Sequence, residues 1–433
     1  MHHLKCNFLT PAMGTPKPGT NSTLTGTNLQ YAKHYNTRIV LEAIRLHHPI
    51  SRLDISKITR LTAQTVTNIT RELIKTGLIQ ESGRVKSGRG APSILLTLNP
   101  DSAFAIGLDL DKDHLTGVLI DMLGHVRQRL NLELNFPTAD EAMSIFEKAA
   151  TQLMQSEGIP REKLWGIGVA LPGPINIIKE QGSSRVVVNP KLMPGWQDVP
   201  VADLLAERLK LPVYLENNAS AAAFSERWYG DGQNFDTFFY VYFGAGLGGG
   251  LVIKGQLHSG YSGNAGEIGY LPTSSFFEDD GQIEHAHLGL SFNVPALFEM
   301  LQEEGFDAKT QQDLEALFLE KNPVLMRWIE EGARKLAPAM LAVEYIIDPE
   351  AIFLGGRLPD CMINELLSQL QRFLPDLHFR ENKQHPKLRK ATAGVEAGAL
   401  GVAMIPLYTF MSPLPTVLMK GEDQDQEKLN GGG

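Results

Sequence analysis

Cysteine is almost missing from this chain: only Cys6 and Cys361 occur, far apart in 433 residues. Two thiols so placed give no disulfide framework, so a reducing compartment is expected. No apolar run approaches the ~18 residues of a membrane-spanning helix, and the N-terminus lacks a charged segment leading into an apolar one with a small-residue cleavage site. The expectation is a soluble, cytoplasmic protein with no membrane insertion. Acidic residues are scarce in one region. Residues 1–95 hold 13 Lys plus Arg against 4 Asp plus Glu, whereas the remainder holds 27 against 45, although the whole chain sums to -9. A basic head on an acidic body implies that only the head meets a polyanion.

At ~150 residues per domain the length suggests roughly three domains, and 43% hydrophobic content supplies real cores. Residues 1–28, rich in Pro, Gly, Thr and Asn without periodicity, read as a flexible leader, and residues 411–433 as a flexible tail. Between them the expected units are 29–98, a first α/β lobe over 99–220, and a second α/β lobe with a C-terminal helix over 221–410.

The unit 29–98 reads as three helices and two strands. Ile39, Val40, Ala43 and Ile44 share one face of a helix that His48-Pro49 stops. Ser51 can cap a second helix over 52–60, with Leu53, Ile55 and Ile58 as its apolar residues. Thr62 can cap a third, ending near Gly77, with Val66, Ile69 and Leu73 on its buried face. Its other face offers Gln64, Thr65, Thr67, Asn68 and Arg71, side chains able to read base edges or hold phosphates in a major groove. Strands at 78–81 and 93–98 flank a glycine-rich loop, 82–92, carrying Arg84, Lys86 and Arg89 for backbone or minor-groove contacts. This is a winged helix-turn-helix pattern; the competing reading is a small protein-interaction module with a solvated basic face.

The chain's other landmark is Leu215-Glu216-Asn217-Asn218-Ala219-Ser220-Ala221-Ala222-Ala223. The run 212–215 reads as a buried strand, which places Glu216 to Asn218 at its carboxyl end in a loop that enters a helix. Ligands bind at such ends in open α/β sheets. An amide both donates and accepts, which suits a polyhydroxylated ligand; the alternative is an Asn-rich turn that only caps the helix.

Strands over 103–111, 115–121 and 131–134, a helix over 139–155 and a strand over 164–170 ending in Leu171-Pro172-Gly173-Pro174 resemble the start of an actin-like, ribonuclease-H-like lobe. Further on come Asn189-Pro190 with Gly195-Trp196, Glu216-Asn217-Asn218-Ala219, Gly244-Ala245-Gly246-Leu247-Gly248-Gly249-Gly250, Gly263-Asn264-Ala265-Gly266-Glu267-Ile268-Gly269 and Leu354-Gly355-Gly356. In that order these motifs resemble the ROK family of sugar kinases and sugar-responsive repressors, over about residues 100–408; the head resembles that of the repressor branch, which includes xylose and N-acetylglucosamine repressors. The implied fold is an N-terminal winged helix-turn-helix (α+β) followed by a two-lobed α/β actin-like (ribonuclease-H-like) ATPase-fold sugar-binding body.

The resemblance implies that Asn217, Asn218 and Glu267 contact sugar hydroxyls, with Gly173 approaching closely and Asn189 and Tyr270 nearby; an acid capping a helix is the alternative for Glu267. In the kinases the first strand turn is glycine-rich, whereas here it is Asp109-Leu110-Asp111-Lys112-Asp113, whose carboxylates repel a polyphosphate. Asn218 stands where the kinases place an aspartate base, and an amide has no usable basicity. No catalytic residue, cofactor or metal is therefore expected. The family's zinc site uses a histidine where this chain has Tyr270 and a downstream cysteine cluster that it lacks; Glu284-His285-Ala286-His287 could share a metal, but more often such a pair is solvated. The expected function is a sugar-responsive DNA-binding regulator, a repressor acting as a homodimer or higher homo-oligomer on double-stranded operator DNA, with a sugar or sugar-phosphate effector. The alternatives are a ROK-type sugar kinase with a regulatory N-terminal domain, and a protein-interaction adaptor.

Overall fold

The computed structural model describes residues 29–85, 92–111, 114–135, 137–180, 183–188, 195–273, 287–377 and 384–413. The leader 1–28, Lys86, Arg89, Lys112, Asp113, Asn189, Glu284, His285 and the chain beyond 413 lie outside them.

In the head, α1 (Leu29–His47) buries Val40, Leu41 and Ile44 and ends before His48-Pro49. A short β1 (Ile50–Ser51) leads into α2 (Arg52–Thr59), where Ser51 Oγ accepts the Asp54 N–H at 3.2 Å. Thr62 Oγ1 caps α3 (Ala63–Lys75) by accepting from Thr65 N–H at 3.2 Å. Each cap satisfies one of the donors that a helix start leaves unpaired. Val66, Ile69 and Leu73 of α3 are buried. On α2 only Ile55 is buried; Leu53 and Ile58 are 55% and 51% exposed, because eight residues turn one stripe inward and these two flank it on the outside.

The head's sheet has the order β1-β3-β2, with β2 (Ile79–Val85) antiparallel to β3 (Ser93–Leu98). Strand β2 continues well past Glu81 because a register shift between Glu81 and Gly83 absorbs an extra residue, so Arg84 sits in a strand opposite Ile94 rather than in a loop.

The body's first sheet has the order β10-β7-β4-β5-β6. Strands β4 (Phe104–Leu110), β5 (His114–Asp121) and β6 (Val126–Glu133) form an antiparallel meander. Helix α4 (Ala139–Ser156) follows, opened by a Thr138–Glu141 capping box. Strand β7 (Leu164–Leu171) then runs parallel to β4, and a hairpin of β8 (Ile175–Glu180) and β9 (Ser183–Val188) precedes α5 (Val201–Leu209). Strand β10 (Val213–Asn217) pairs parallel with β7 and runs into α6 (Asn218–Tyr229) with no loop between. Glu216 and Asn217 therefore belong to the strand rather than to a turn beyond it.

The second sheet, β13-β12-β11-β14-β15, contains β11 (Phe238–Phe243), β12 (Leu247–Ile253), β13 (Gln256–Leu257), β14 (Ala351–Gly356) and β15 (Lys387–Lys390). It packs against α7 (Leu288–Ser291), α8 (Val294–Glu303), α9 (Gln311–Leu319), α10 (Pro323–Ile347) and α11 (Asp360–Leu377) around a core that includes Phe292, Trp328 and Leu354.

The last helix, α12 (Ala397–Met411), lies flat on the first sheet. A Cβ on Gly107 would stand 1.9 Å from the Ala399 carbonyl, and one on Gly168 1.9 Å from that of Val402, so only glycine admits the helix there. The far end of α12 meets the head: Arg38 of α1 is buried and Nη1 donates to the carbonyls of Thr409 (2.7 Å) and Ser412 (3.1 Å). Burial lowers the Arg38 pKa to about 10, so the guanidinium remains charged at neutral pH. Arg45 of α1 stacks 4.1 Å over the Trp228 ring near the end of α6. One hydrophobic core joins Val40, Ile44 and Leu73 of the head to Val118, Phe224 and Leu407 of the body.

Candidate functional site

Three backbone segments converge beside the start of α6. Beyond β7, Gly173 lies so close to its neighbours that a Cβ there would stand 2.6 Å from Asn217 Nδ2 and 2.8 Å from Glu267 Oε1. Gly173, Asn217 and Glu267 are thus brought together from three separate stretches. Asn217 Oδ1 accepts the Ala219 N–H at 2.8 Å, so the helix-capping reading is correct for its oxygen, while its amide nitrogen faces Gly173.

Glu267 makes no side-chain cap to the short helical turn that follows it. Burial raises its pKa above the ordinary carboxyl value. Asn264 fastens the Glu267 loop to the first lobe: Oδ1 accepts from Ile175 N–H at 2.8 Å and Nδ2 donates to the Ile175 carbonyl at 2.5 Å. Glu216 adds a second tie, accepting its neighbour's Asn217 N–H at 2.9 Å and bonding the Ser259 side chain. Desolvation of its carboxyl nevertheless pushes the pKa up to about 7.

Asn218 occupies a different environment. It is 5% exposed, Nδ2 donates weakly to the Leu110 carbonyl at 3.4 Å, and Oδ1 has no hydrogen-bond partner among the described residues. Asp109 and Asp111, at the end of β4, are also buried. Asp109 presses against the first turn of α12, where a Cβ on Gly398 would stand 2.0 Å from Oδ2. Burial raises the Asp109 pKa to about 7; His114 and Arg357 oppose the shift and Asp111 adds to it. Arg357, just beyond Gly356 of the second lobe, approaches Asp111 at 3.6 Å. The turn that the kinases line with glycine is here occupied by acids and a guanidinium.

The glycine run 244–250 packs against its neighbours. A Cβ on Gly250 would meet Ala223 Cβ at 2.5 Å and the Ala219 carbonyl at 2.6 Å, and one on Gly249 would meet the Gly266 carbonyl at 2.4 Å. Most of these glycines let β12 approach α6 and the Glu267 loop. Tyr270 is 45% exposed and stacks on His287 with ring centroids 5.3 Å apart, while His287 Nδ1 bonds the Gly269 carbonyl at 2.8 Å. Among the described residues no group of three or more His, Cys, Asp or Glu could hold a metal.

On the head, Gln64, Asn68 and Arg71 are exposed along α3, with Thr65 and Thr67 half-buried beside them and Arg84 exposed on β2. Asn264, Arg357 and Arg38 were not singled out from the sequence, and Glu216 was placed at the ligand-facing strand end but not among the residues expected to contact sugar hydroxyls. Glu216 alone carried a signal, as an acid beside two amides at a strand end.

Two five-stranded sheets, with α6 and α12 packed between them, define a two-lobed actin-like α/β body. The chain belongs to the ROK family, whose sequence model matches residues 105–407. A "Putative xylose repressor" of Caldicellulosiruptor sp. (strain Rt8B.4) is 30% identical over 396 residues, covering 86% of this chain and 96% of the relative. The xylose repressor of Bacillus subtilis (strain 168) is 31% identical over 245 residues, or 56% of this chain and 61% of its own length. A crystal structure of a ROK family transcriptional regulator, described as a homolog of the E. coli MLC protein, shares the fold with a TM-score of 0.71 at 22% identity, covering 90% of this chain and 99% of that one. Among the described residues no helix is long and apolar enough to cross a membrane.

Proposed function

We propose that this chain is a cytoplasmic, sugar-responsive transcriptional repressor that binds operator DNA as a homodimer through a winged helix-turn-helix head. The observation that carries the reading is the pairing, in one chain, of an exposed polar α3 with a cleft that keeps sugar-binding groups and lacks a kinase base. Helix α3 would enter the major groove, and Arg84 on the wing would contact the backbone. Residues 29–98 would form this head, with lobes over 99–220 and 221–410. Sugar hydroxyls would bond Asn217 and Glu267 beside Gly173, with Asn218, Tyr270 and Asn189 at the margins. Repressor names among the relatives support this reading.

Phosphoryl transfer is disfavoured by this chain's own groups. Asn218 cannot take a hydroxyl proton, and loss of a positioned base costs roughly 10²- to 10⁴-fold. Asp109 and Asp111, buried and with Arg357 3.6 Å from Asp111, occupy the turn where a polyphosphate would lie. Sugar binding between the lobes would act through α6 and α12, whose far ends touch Arg45 and Arg38 of the head. Such an effector works only through different affinity for two states, and about 10⁴-fold is needed to swing occupancy fully.

The test is binding of the full chain to DNA from upstream of its own gene across a salt series. Saturable, sequence-preferring binding that weakens steeply with salt is expected. Sequence-blind binding there and at other promoters, with ATP-dependent sugar phosphorylation, would instead establish the kinase.

A further inference from the structure

The exposed side of α3 has a hydrogen-bonding pattern that specifies more than DNA in general. Gln64 and Asn68, four residues apart, are joined by a Gln64 Nε2 to Asn68 Oδ1 bond of 3.1 Å. That bond uses one donor and one acceptor and leaves the pair with an outward amide nitrogen on Asn68 and an outward carbonyl oxygen on Gln64. Exchanging nitrogen and oxygen in both amides leaves the same outward set.

The neighbouring threonines have their hydroxyls turned back. Thr67 Oγ1 donates to the Ala63 carbonyl at 2.7 Å, and Thr65 Oγ1 bonds Thr62 Oγ1 at 2.8 Å. Each is therefore left to offer a methyl group. No Lys or Arg occurs in α3 before Arg71, and Arg52 of α2 is engaged with Thr70 Oγ1 at 2.9 Å. The first two turns thus lack the cation that grips guanine O6 and N7.

We infer that α3 reads an A·T step: the joined Gln64–Asn68 amides grip one adenine, and the Thr65 and Thr67 methyls pack on thymine methyl groups. Adenine alone shows an acceptor (N7) beside a donor (N6) in the major groove. Guanine shows two acceptors, which would set the Gln64 oxygen against O6. This inference rests on the DNA-binding reading above and goes beyond it by naming the base.

The experiment is selection of bound duplexes from a randomised double-stranded library by the full chain, repeated with Gln64→Ala, Asn68→Ala and Arg71→Ala. The wild type should enrich one adenine position per half-site, preferred over other bases by roughly 5- to 150-fold, the equivalent of one bidentate pair. Gln64→Ala and Asn68→Ala should each relax that same position and leave the salt slope unchanged. Arg71→Ala should weaken all sequences alike and lower the slope. Enrichment of guanine or cytosine there, or an adenine preference that survives Asn68→Ala, overturns this inference and leaves DNA binding standing. If no duplex is retained at any salt, both readings fail.

Discussion

The two halves of the site, both beside the start of α6, differ in what they leave available. On one side, Gly173, Asn217 and Glu267 meet with an amide nitrogen and a carboxylate oxygen turned towards a residue that has no side chain. On the other, Asp109, Asp111, Arg357 and Asn218 fill the corresponding space with the protein's own polar groups. A phosphate-facing turn depends on backbone approach and on the sign of local charge, so glycine and aspartate at such a turn act in opposite directions. The α6 and α12 scaffold is common to both halves, so closing one need not disturb the other.

The largest expected effect is on the scaffold itself. Gly168→Ala sets a Cβ against the Val402 carbonyl, and overpacking of this kind costs about 1–3 kcal/mol or more; thermal unfolding should record it at every ligand concentration. On the open side, Glu267→Ala removes a charged acceptor. Sugar affinity should fall roughly 10- to 100-fold by calorimetry, with sugar-free DNA binding unchanged. Gly173→Ala should act in the same direction by filling the cradle.

On the closed side, Asn218→Asp introduces a carboxylate and is expected to give no ATP turnover above background, because buried Asp109 and Asp111 and the Arg357 guanidinium still occupy the turn where phosphate would lie. Turnover in that variant would break the comparison.

A separate effect is a pH dependence of stability. The carboxyls of Asp109 and Glu216 have folded-state pKa values raised to about 7, above those of an unfolded carboxyl. Their contribution is full below about pH 4 and is lost as pH rises through about 7. Denaturant midpoints should therefore fall between about pH 5 and 7.5, and less so in Asp109→Asn.

Local signals in the sequence located much of this fold. Helix α10 begins at Pro323 because Asn322 caps the Val324 and Leu325 N–H groups, and it ends where Asp348 turns left-handed, so its limits are legible. Strand β6 is longer than its apolar end suggests because Arg127 and Arg129 alternate with inward residues on an edge. The β8–β9 hairpin carries no turn signal strong enough to place it. Within the site, the order of motifs singled out Gly173, Asn217 and Glu267, which the fold brings close together. Asn264 was not legible because its partner is the Ile175 backbone, nor Arg357, because Asp111 lies far away in the chain.

The central claim is that the open half of the cleft controls the head. Its most direct measurement is operator affinity of wild type and Glu267→Ala across a panel of sugars and sugar phosphates at fixed salt. The account predicts that one sugar weakens wild-type binding and that, at the same concentration, the variant stays bound. A sugar that releases both proteins equally, or an operator affinity that no sugar changes while the pocket is demonstrably filled, would contradict it.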